Sequence, residues 1–127
     1  MIQGVQSALA GLRAAAQRVG IAAENISNAR SSGALQPYDG YVPQQAAQST
    51  NATGTPVVTS RPLSPAHVAA YEPDNPDADA NGLVGQPNVD LAQNFVELML
   101  AEHVYKANAV TLRTIDELSK ALYDDEA

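Results

Sequence analysis

Apolar side chains recur along the first 28 residues at the spacing of a helix that buries one face. The intervals between them alternate between three and four residues, which is the a and d pattern of a heptad repeat. Asn25, Asn28 and Gly33 mark the place where the helical signals end. The pattern predicts a helix over residues 2 to 28 with a coiled-coil seam along it. The predicted seam consists of Ile2, Val5, Leu9, Leu12, Ala16, Val19, Ala23 and Ile26.

A second and longer apolar stripe follows Pro87 and predicts a second helix. Asp90 can cap the free backbone N–H groups of the helix start, and Gln93 stands three residues on, as in a capping box. Three acidic residues within 123–127 lie at the helix C-terminus, where the macrodipole disfavours negative charge, so we expect this tail to fray. The stripe consists of Leu91, Phe95, Leu98, Ala101, Tyr105, Ala109, Leu112, Ile115, Leu118 and Leu122.

The segment between the helices is rich in Ser, Gly, Pro, Gln, Asn and Thr, and it holds all eight prolines, from Pro37 to Pro87. No long helix is compatible with that composition. Residues 40–45, 55–60 and 67–72 have some strand character, although prolines limit them to edge or irregular strands. The segment therefore predicts a loop-rich β module with a thin core. That predicted core consists of Tyr41, Val57, Val58, Val68 and Tyr71.

These patterns predict a mainly α fold with a small irregular β-rich insert. The predicted segments are residues 1–30, 31–87 and 88–127, with the two long helices forming an antiparallel, coiled-coil-like hairpin. Residues 1–30 carry a net charge of +2 and residues 90–127 one of −5, which favours pairing of the two helices. A two-helix pair buries only one interface, so part of each apolar face stays uncovered. The chain is either a helical hairpin within an ordinary domain or a subunit whose uncovered faces are satisfied by other copies.

Composition narrows the possible partners. The 127 residues are enough for one modest domain, and the 45% hydrophobic fraction is largely alanine, with no Trp and one Phe. The net charge is −7 and no basic patch is visible, which argues against nucleic acid as a partner. Cysteine is absent. The N-terminus lacks the pattern of a secretory signal, so we expect a soluble protein or one that is exported without a cleaved signal peptide.

Few residues suggest site chemistry. Asp77, Asp79, Asn81 and Gly82 match the first half of an EF-hand calcium loop, but the position of the closing glutamate is occupied by Asn88. We therefore expect a hydrogen-bonded turn and no metal. His67 and His103 have no acid or Cys at ligand spacing, and no nucleophile or phosphate-binding motif is present. The prediction is a protein without enzymatic activity, cofactor or small-molecule substrate.

Asn108 interrupts the apolar pattern of the second helix within the stretch YKANA. A polar residue beside a packed stripe can fix the register between two helices. It can equally be a solvent-exposed side chain, and the sequence leaves both interpretations open.

Two stretches of the chain resemble a known family. The stretch SALAGLRAAAQRVGIAAENISNA closes the first helix with Ala23, Asn25, Ile26 and Asn28. The more specific stretch is YEPDNPDADANGLVGQPNVDLAQNFVELMLAEHVYKANAVTLRTIDEL, in which the turn, the Asp-rich step and the start of the second helix follow in order. In these stretches, about half of the chain, the sequence resembles the axial proteins of the bacterial flagellum, and among them the basal-body rod proteins.

The resemblance implies a structural subunit of the flagellar basal-body rod in the periplasm. Such a subunit is exported by the flagellar type III apparatus and polymerises through its terminal helices with itself and other axial proteins, with the β-rich segment outside. The alternative is a soluble helical adaptor or export chaperone that binds another protein's helix. The expected assembly interface consists of Val5, Leu9, Leu12, Val19, Ile26, Leu91, Phe95, Leu98, Tyr105, Leu112 and Ile115.

Overall fold

The computed structural model describes residues 2–125, in which two long helices flank four short strands. Helix α1 spans Ile2–Ser27 and helix α2 spans Leu91–Asp125. The strands are β1 Gln44–Thr50, β2 Pro56–Pro62, β3 His67–Tyr71 and β4 Leu83–Pro87. This architecture confirms a fold made of an N-terminal helix, a C-terminal helix and a small insert of antiparallel strands.

The helix boundaries follow the predicted signals closely. Helix α1 ends one residue before the predicted boundary, and the Asn28 side chain donates to the Glu24 carbonyl at 2.9 Å. Helix α2 begins directly after Asp90, whose Oδ1 accepts the Gln93 N–H at 3.0 Å, as an N-cap should. The helix runs to Asp125. The predicted fraying falls partly on residues 126 and 127, which lie outside the described residues.

The four strands form two separate antiparallel hairpins. Strands β1 and β2 pair over their full length, and β3 and β4 do the same. The turn between β1 and β2 uses Gly54 at φ +77, and the turn before β4 uses Gly82 at φ +76, a conformation that glycine adopts without steric cost. Gly33 adds an isolated bridge to Gly85 on the outer side of β4.

The strand predictions were right for β2 and β3 and wrong for the other two. Residues 40–45 were predicted as a strand, but β1 begins only at Gln44 and runs on through QQAAQST. Strand β4, LVGQP, was not predicted because Gly85 and Pro87 are unfavourable in strands. Both strands are specified by pairing with their neighbours and not by their own propensity.

The core of the insert lies under β4. Of the five residues predicted for this core, Val58 is buried, Tyr41 is partly exposed, and Val57, Val68 and Tyr71 are exposed. That prediction was therefore largely wrong. The core is built instead from small and cyclic residues that allow close packing of the backbone. These are Gly33, Pro43, Val84, Gly85 and Pro87, all of which are buried.

One aromatic contact joins the segment before β1 to the second hairpin. The Tyr38 ring stacks on His67 with centroids 4.0 Å apart. It also lies against Gly85 so closely that a Cβ there would be 2.6 Å from the ring. Burial raises the pKa of the Tyr38 hydroxyl, and the nearby Asp39 charge adds to this rise. The hydroxyl stays protonated and donates to the Tyr41 carbonyl.

Candidate assembly surface

Helix α1 lies antiparallel against α2, because residues early in one helix meet residues late in the other. Gly4 lies near Ile115, where an added Cβ would be 3.3 Å from Cδ1. At the other end of the pair, Asn25 Nδ2 donates to Asn94 Oδ1 at 2.9 Å. The helix pair therefore places both termini of the described chain at one end and the β insert at the other.

The face of α1 that is buried is displaced by one residue from the predicted seam. Ile2, Leu9, Ala16 and Ala23 of the predicted seam are exposed. The buried positions lie about 100° around the helix, where the side chains are small enough for α2 to approach closely. The larger apolar side chains consequently lie beside the helix contact and not in it. The buried residues of α1 are Ala8, Gly11, Ala14, Ala15, Ala22 and Asn25.

Asn108 sits in the helix contact and faces α1. A Cβ added at Gly11 would lie 2.5 Å from Asn108 Oδ1, so only glycine leaves room for this amide. Asn108 Nδ2 donates to the Val104 carbonyl at 2.8 Å, one turn earlier in the same helix. Of the two interpretations of Asn108, the structure supports a role in the register between the helices.

Asn25 is the centre of a hydrogen-bonded site that joins both helices to the insert. Its Nδ2 donates to the Gln44 carbonyl at 2.7 Å and to Asn94, while its Oδ1 accepts the Gln44 N–H and the Tyr41 hydroxyl, both at 2.9 Å. The residue is 4% exposed, and all four hydrogen-bonding positions of its side chain are used. Burial, with a smaller contribution from the Glu24 charge, raises the pKa of Tyr41 and keeps its hydroxyl a donor.

A salt bridge between Arg18 and Glu97 crosses the helix pair two turns from Asn25. The hydrogen bond to Glu97 raises the pKa of Arg18, an effect that partial burial opposes and the Glu97 charge reinforces. Arg18 Nη1 also donates to Gln48 Oε1 at 3.4 Å, which reaches strand β1. The other salt bridges among residues 2–125 are exposed pairs within α2, so Arg18–Glu97 is the one that joins separate elements.

Helix α2 is largely uncovered by its own chain. Of its 35 residues, all of which the structure describes, Ala101 alone is buried. By helical spacing, Phe95, Val96 and Met99 lie on the side away from Ala101. Met99, for example, is 62% exposed. We call these outward side chains and two exposed neighbours along the helix the outer face of α2. It consists of Phe95, Val96, Met99, Leu100 and Val110.

None of the eleven residues expected at an assembly interface is buried within the chain. Leu9, Leu91, Phe95 and Tyr105 are exposed. The remaining seven are partly exposed, and Leu98, Leu112 and Ile115 among them flank the contact with α1. Their role in assembly stays a prediction. The partly exposed residues are Val5, Leu12, Val19, Ile26, Leu98, Leu112 and Ile115.

Sequence reasoning missed most of the outer face of α2. Val96, Met99, Leu100 and Val110 fall outside the predicted stripe, although all are large and apolar. The signal that could have found Val96, Met99 and Leu100 is the run FVELML, which places apolar residues on opposite sides of one helix.

At the free end of the helix pair, apolar side chains of both helices line an open groove. Its volume is about 730 Å³, and it continues the predicted stripes of α1 and α2. This groove and the outer face of α2 are two apolar surfaces that the described chain leaves uncovered on the helix pair. The groove is lined mainly by Ile2, Val5, Ile115, Leu122 and Tyr123.

The Asp-rich loop forms a hydrogen-bonded turn. Asp79 Oδ1 accepts the backbone N–H groups of Asn81 at 2.8 Å and Leu83 at 3.0 Å. Asn75 Oδ1 accepts the N–H of Asp77 at 3.0 Å in a similar turn. Among residues 2–125, no three His, Cys, Asp or Glu side chains are grouped so as to hold a metal ion. Within the same residues, neither helix is long and apolar enough to cross a membrane.

Two long helices with uncovered apolar faces, joined through a small hairpin insert, are typical of a structural subunit. The chain is 40% identical over 112 residues to the flagellar basal-body rod protein FlgC of Salmonella typhimurium, with 84% of each chain covered. It is 31% identical over 120 residues to FlgC of Agrobacterium fabrum, covering 90% of this chain and 86% of that protein. No family profile matches the chain. The chain belongs to the FlgC family of flagellar basal-body rod proteins, and its function is structural. The resemblance to flagellar axial proteins is thereby confirmed.

Proposed function

We propose that this chain is built into the flagellar rod through the apolar surfaces of its two terminal helices. The neighbours are other copies and other rod proteins, and the β insert sets lateral contacts. The observation that carries the proposal is the exposure of α2, in which Ala101 is the only residue buried by the rest of the described chain. The eleven predicted interface residues and the outer face of α2 together form the proposed surface.

The energetic reason is the amount of apolar surface that the single chain leaves in water. Burying a side chain such as Met or Phe stabilises a contact by about 1.5–3 kcal/mol relative to leaving it exposed. Because every subunit of a helical array presents the same surface, that stabilisation is repeated at each contact. In the assembled rod the two helices are proposed to continue as a coiled coil, with residues 1–30 and 88–127 as the inner part of each subunit.

The proposal includes the route and the place of assembly. The chain is exported by the flagellar type III apparatus without a cleaved signal peptide and acts in the periplasmic part of the basal body. It needs no cofactor, and it has neither enzymatic activity nor a nucleic-acid partner. A net charge of −7 without a basic patch supports the last point.

The test is Met99→Asp, which places a carboxylate on the outer face of α2. Because Met99 is exposed in the single chain, the free energy of unfolding of the monomer should not change. Incorporation into the rod should be lost, since an unpaired carboxylate buried at every contact costs several kcal/mol. The measurement is complementation of cells that lack the native protein, scored by secretion, rod completion in electron micrographs and swimming.

Asn81→Asp is the matched control, because it adds the same charge in the exposed turn before β4. Cells with this control should build rods and swim. Normal swimming with Met99→Asp would show that the outer face is not an assembly surface. A wild-type chain found only as a compact monomer or dimer outside the rod would instead favour the adaptor or export chaperone.

A further inference from the structure

The two hairpins of the insert each have one closed edge and one open edge. Strand β4 has the closed edge of its hairpin. Leu83 donates its N–H to Asp79 Oδ1 at 3.0 Å and accepts the Asp79 N–H at 2.9 Å. Gly85 exchanges two backbone hydrogen bonds with Gly33, at 2.8 and 3.0 Å. Pro87 has no N–H to offer. The outward backbone groups of β4 are thus satisfied within the chain.

The first hairpin is closed by proline at the two ends of β2, and we call β2 its closed strand in this sense. Hydrogen bonds from Leu63 to Pro43 and from Asn51 to Thr55 bracket its ladder and set the alternation of paired and outward groups. By that alternation, the even-numbered residues of both strands point their backbone groups outward. The outward positions of β2 begin with Pro56 and end with Pro62, which carry no N–H, so only Val58 and Ser60 between them present an outward N–H. Proline on an edge strand is a standard guard against further pairing.

The opposite edge, along β1, is open beyond its first residue. At that residue the Asn25 amide bonds both the N–H and the carbonyl of Gln44, so it takes the place of a neighbouring strand. The next outward residues are Ala46, Gln48 and Thr50, and their outward backbone groups have no partner within residues 2–125. A cleft of about 510 Å³ between β1 and α2 runs beside this edge.

The other open edge is that of β3. Hydrogen bonds from Glu72 to Gly82 and from Asn88 to Ala66 bracket the β3–β4 ladder, so the odd-numbered residues of β3 point outward. These outward residues are His67, Ala69 and Tyr71, whose backbone groups have no partner in the described chain. Neither open edge carries a proline or a charged residue, the guards that edge strands usually have.

We propose that the open edge of β1 pairs with the open edge of β3 in a neighbouring copy of this chain. The two edges match, since each presents three outward residues along a five-residue stretch. An antiparallel register places Ala46 opposite Tyr71 and Gln48 opposite Ala69, so that the small residues face the large ones. The proposal rests on the proposed function, in which copies lie side by side.

Pairing between two different edges also suits an extended assembly. A contact between unlike surfaces of identical subunits does not close on itself as a two-fold dimer does, and it generates a ring or a helical array. Each copy uses its β1 edge toward one neighbour and its β3 edge toward another. The insert would in this way supply the lateral contacts of the rod by backbone hydrogen bonds, independently of the apolar helix faces.

Cysteine cross-linking tests the pairing directly, because the chain has no cysteine of its own. In the proposed register Ser49 faces Val68 at a non-hydrogen-bonded pair, where Cα atoms about 4.5 Å apart permit a disulfide. Chains with Ser49→Cys and chains with Val68→Cys are expressed together in cells that lack the native protein, and isolated rods are oxidised. A disulfide-linked dimer is expected from the mixed cells and not from cells expressing either variant alone.

The matched control replaces Ser49→Cys by Thr59→Cys on the closed strand β2, which should give no dimer with Val68→Cys. Absence of a dimer in the mixed cells would overturn the proposal. So would a dimer from Ser49→Cys chains alone, since that would mean that β1 edges pair with each other. A cross-link to a different, larger rod protein would likewise rule out a second copy as the occupant.

A second experiment blocks the open edge. Gln48→Pro removes an outward N–H that the ladder to β2 does not use, and Ser60→Pro does the same on the closed strand. We expect at least a tenfold loss of completed rods with Gln48→Pro and none with Ser60→Pro or Gln48→Ala. Equal rod numbers in a Gln48→Pro variant that melts like wild type would overturn the pairing. If Gln48→Pro unfolds the chain, the cysteine cross-linking experiment tests the pairing in its place.

The two proposals fail in different ways. If the wild-type chain is absent from isolated rods, the proposed function is wrong. If it is present and the mixed cysteine variants assemble without cross-linking, the proposed function stands and the edge pairing is wrong.

Discussion

The two faces of α2 reverse the usual arrangement of an amphipathic helix. Near the insert, the face toward α1 carries small or polar side chains, among them Asn94, Ala101 and Asn108, and the large Ile115 joins this face only near the free end, beside Gly4. The opposite face carries Phe95 and Met99, which are 53% and 62% exposed. In an ordinary globular domain the large apolar residues would lie inside. The arrangement shows that near the insert the chain holds its helices together through small and polar residues and leaves larger apolar side chains such as Met99 exposed.

Small residues can hold two helices together when the backbones come close. Gly11 and the alanines of α1 remove side-chain bulk from the contact, so that helix atoms meet directly and dispersion contacts are dense. Specificity then comes from polar groups that fit one arrangement only, namely the Asn25 site and Asn108. The face along which α1 and α2 meet, which we call the inner face, should therefore be sensitive to small changes in volume or hydrogen bonding. The outer face of α2 should matter little to the stability of the single chain.

The largest effect on stability is expected from Asn25→Ala. The substitution leaves the N–H and carbonyl of Gln44 and the Tyr41 hydroxyl without their partner in a buried site. Leaving buried polar groups unsatisfied costs about 1–3 kcal/mol each, so a loss of about 3 kcal/mol in the free energy of unfolding is expected. Urea unfolding followed by circular dichroism measures it.

The control is Asn28→Ala, which removes a second asparagine near the end of the same helix. Asn28 bonds mainly to its own helix end, so its loss should cost about 0.5 kcal/mol. Similar losses at both positions would mean that Asn25 is not the joint between the helices and the insert.

Gly11→Ala tests the close approach of the helices. A Cβ at this position would overlap the Asn108 side chain, which must move and give up its bond to Val104. Overpacking of this kind costs about 1–3 kcal/mol. Gly20→Ala makes the same change where the added Cβ would meet no other part of the fold within 4 Å. It should stabilise the helix by about 0.5–1 kcal/mol. Melting temperatures that shift in the same direction would contradict the inner face described here.

The smallest effect is expected from Glu97→Gln, which weakens the bridge to Arg18 but leaves its shape. Because both side chains are partly exposed, the cost should be about 1 kcal/mol or less, and it should shrink at high salt. Glu117→Gln, which breaks an exposed pair with Arg113, is expected to change nothing measurable. Chemical unfolding at low and high salt measures the free energy of unfolding of both variants. A larger loss for Glu117→Gln than for Glu97→Gln would contradict the prediction.

The helices were predictable because their signals are local. Apolar spacing, Asp90 as the cap and the prolines between 37 and 87 define two helices and an insert without any knowledge of tertiary contacts. The family, too, could be identified from motif order. The face that α1 buries could not be predicted. The heptad pattern marks large apolar residues, whereas the helix buries the small residues one position earlier.

The strands and the core of the insert were harder to predict for a different reason. Strand β1 has almost no β-forming residues, and β4 contains Gly85 and Pro87, so each exists because a partner strand lies next to it. The role of Asn25 was hidden as well. Its sequence neighbours mark only a helix end, whereas its partners Tyr41, Gln44 and Asn94 come from distant positions.

The Asn25 site has a consequence for the order in which the chain can fold. Its partners are Tyr41 before β1, Gln44 at the start of β1 and Asn94 in the first turn of α2, so no single element can complete it. In a half-formed site the buried Asn25 amide would lack some of its hydrogen-bond partners. That state is less favourable than one in which the site has not formed and the amide is still in water. Helix pairing and attachment of the insert should therefore be one cooperative event. Such a chain can stay unfolded until its C-terminal helix is free, a property that would suit the export route we propose for it.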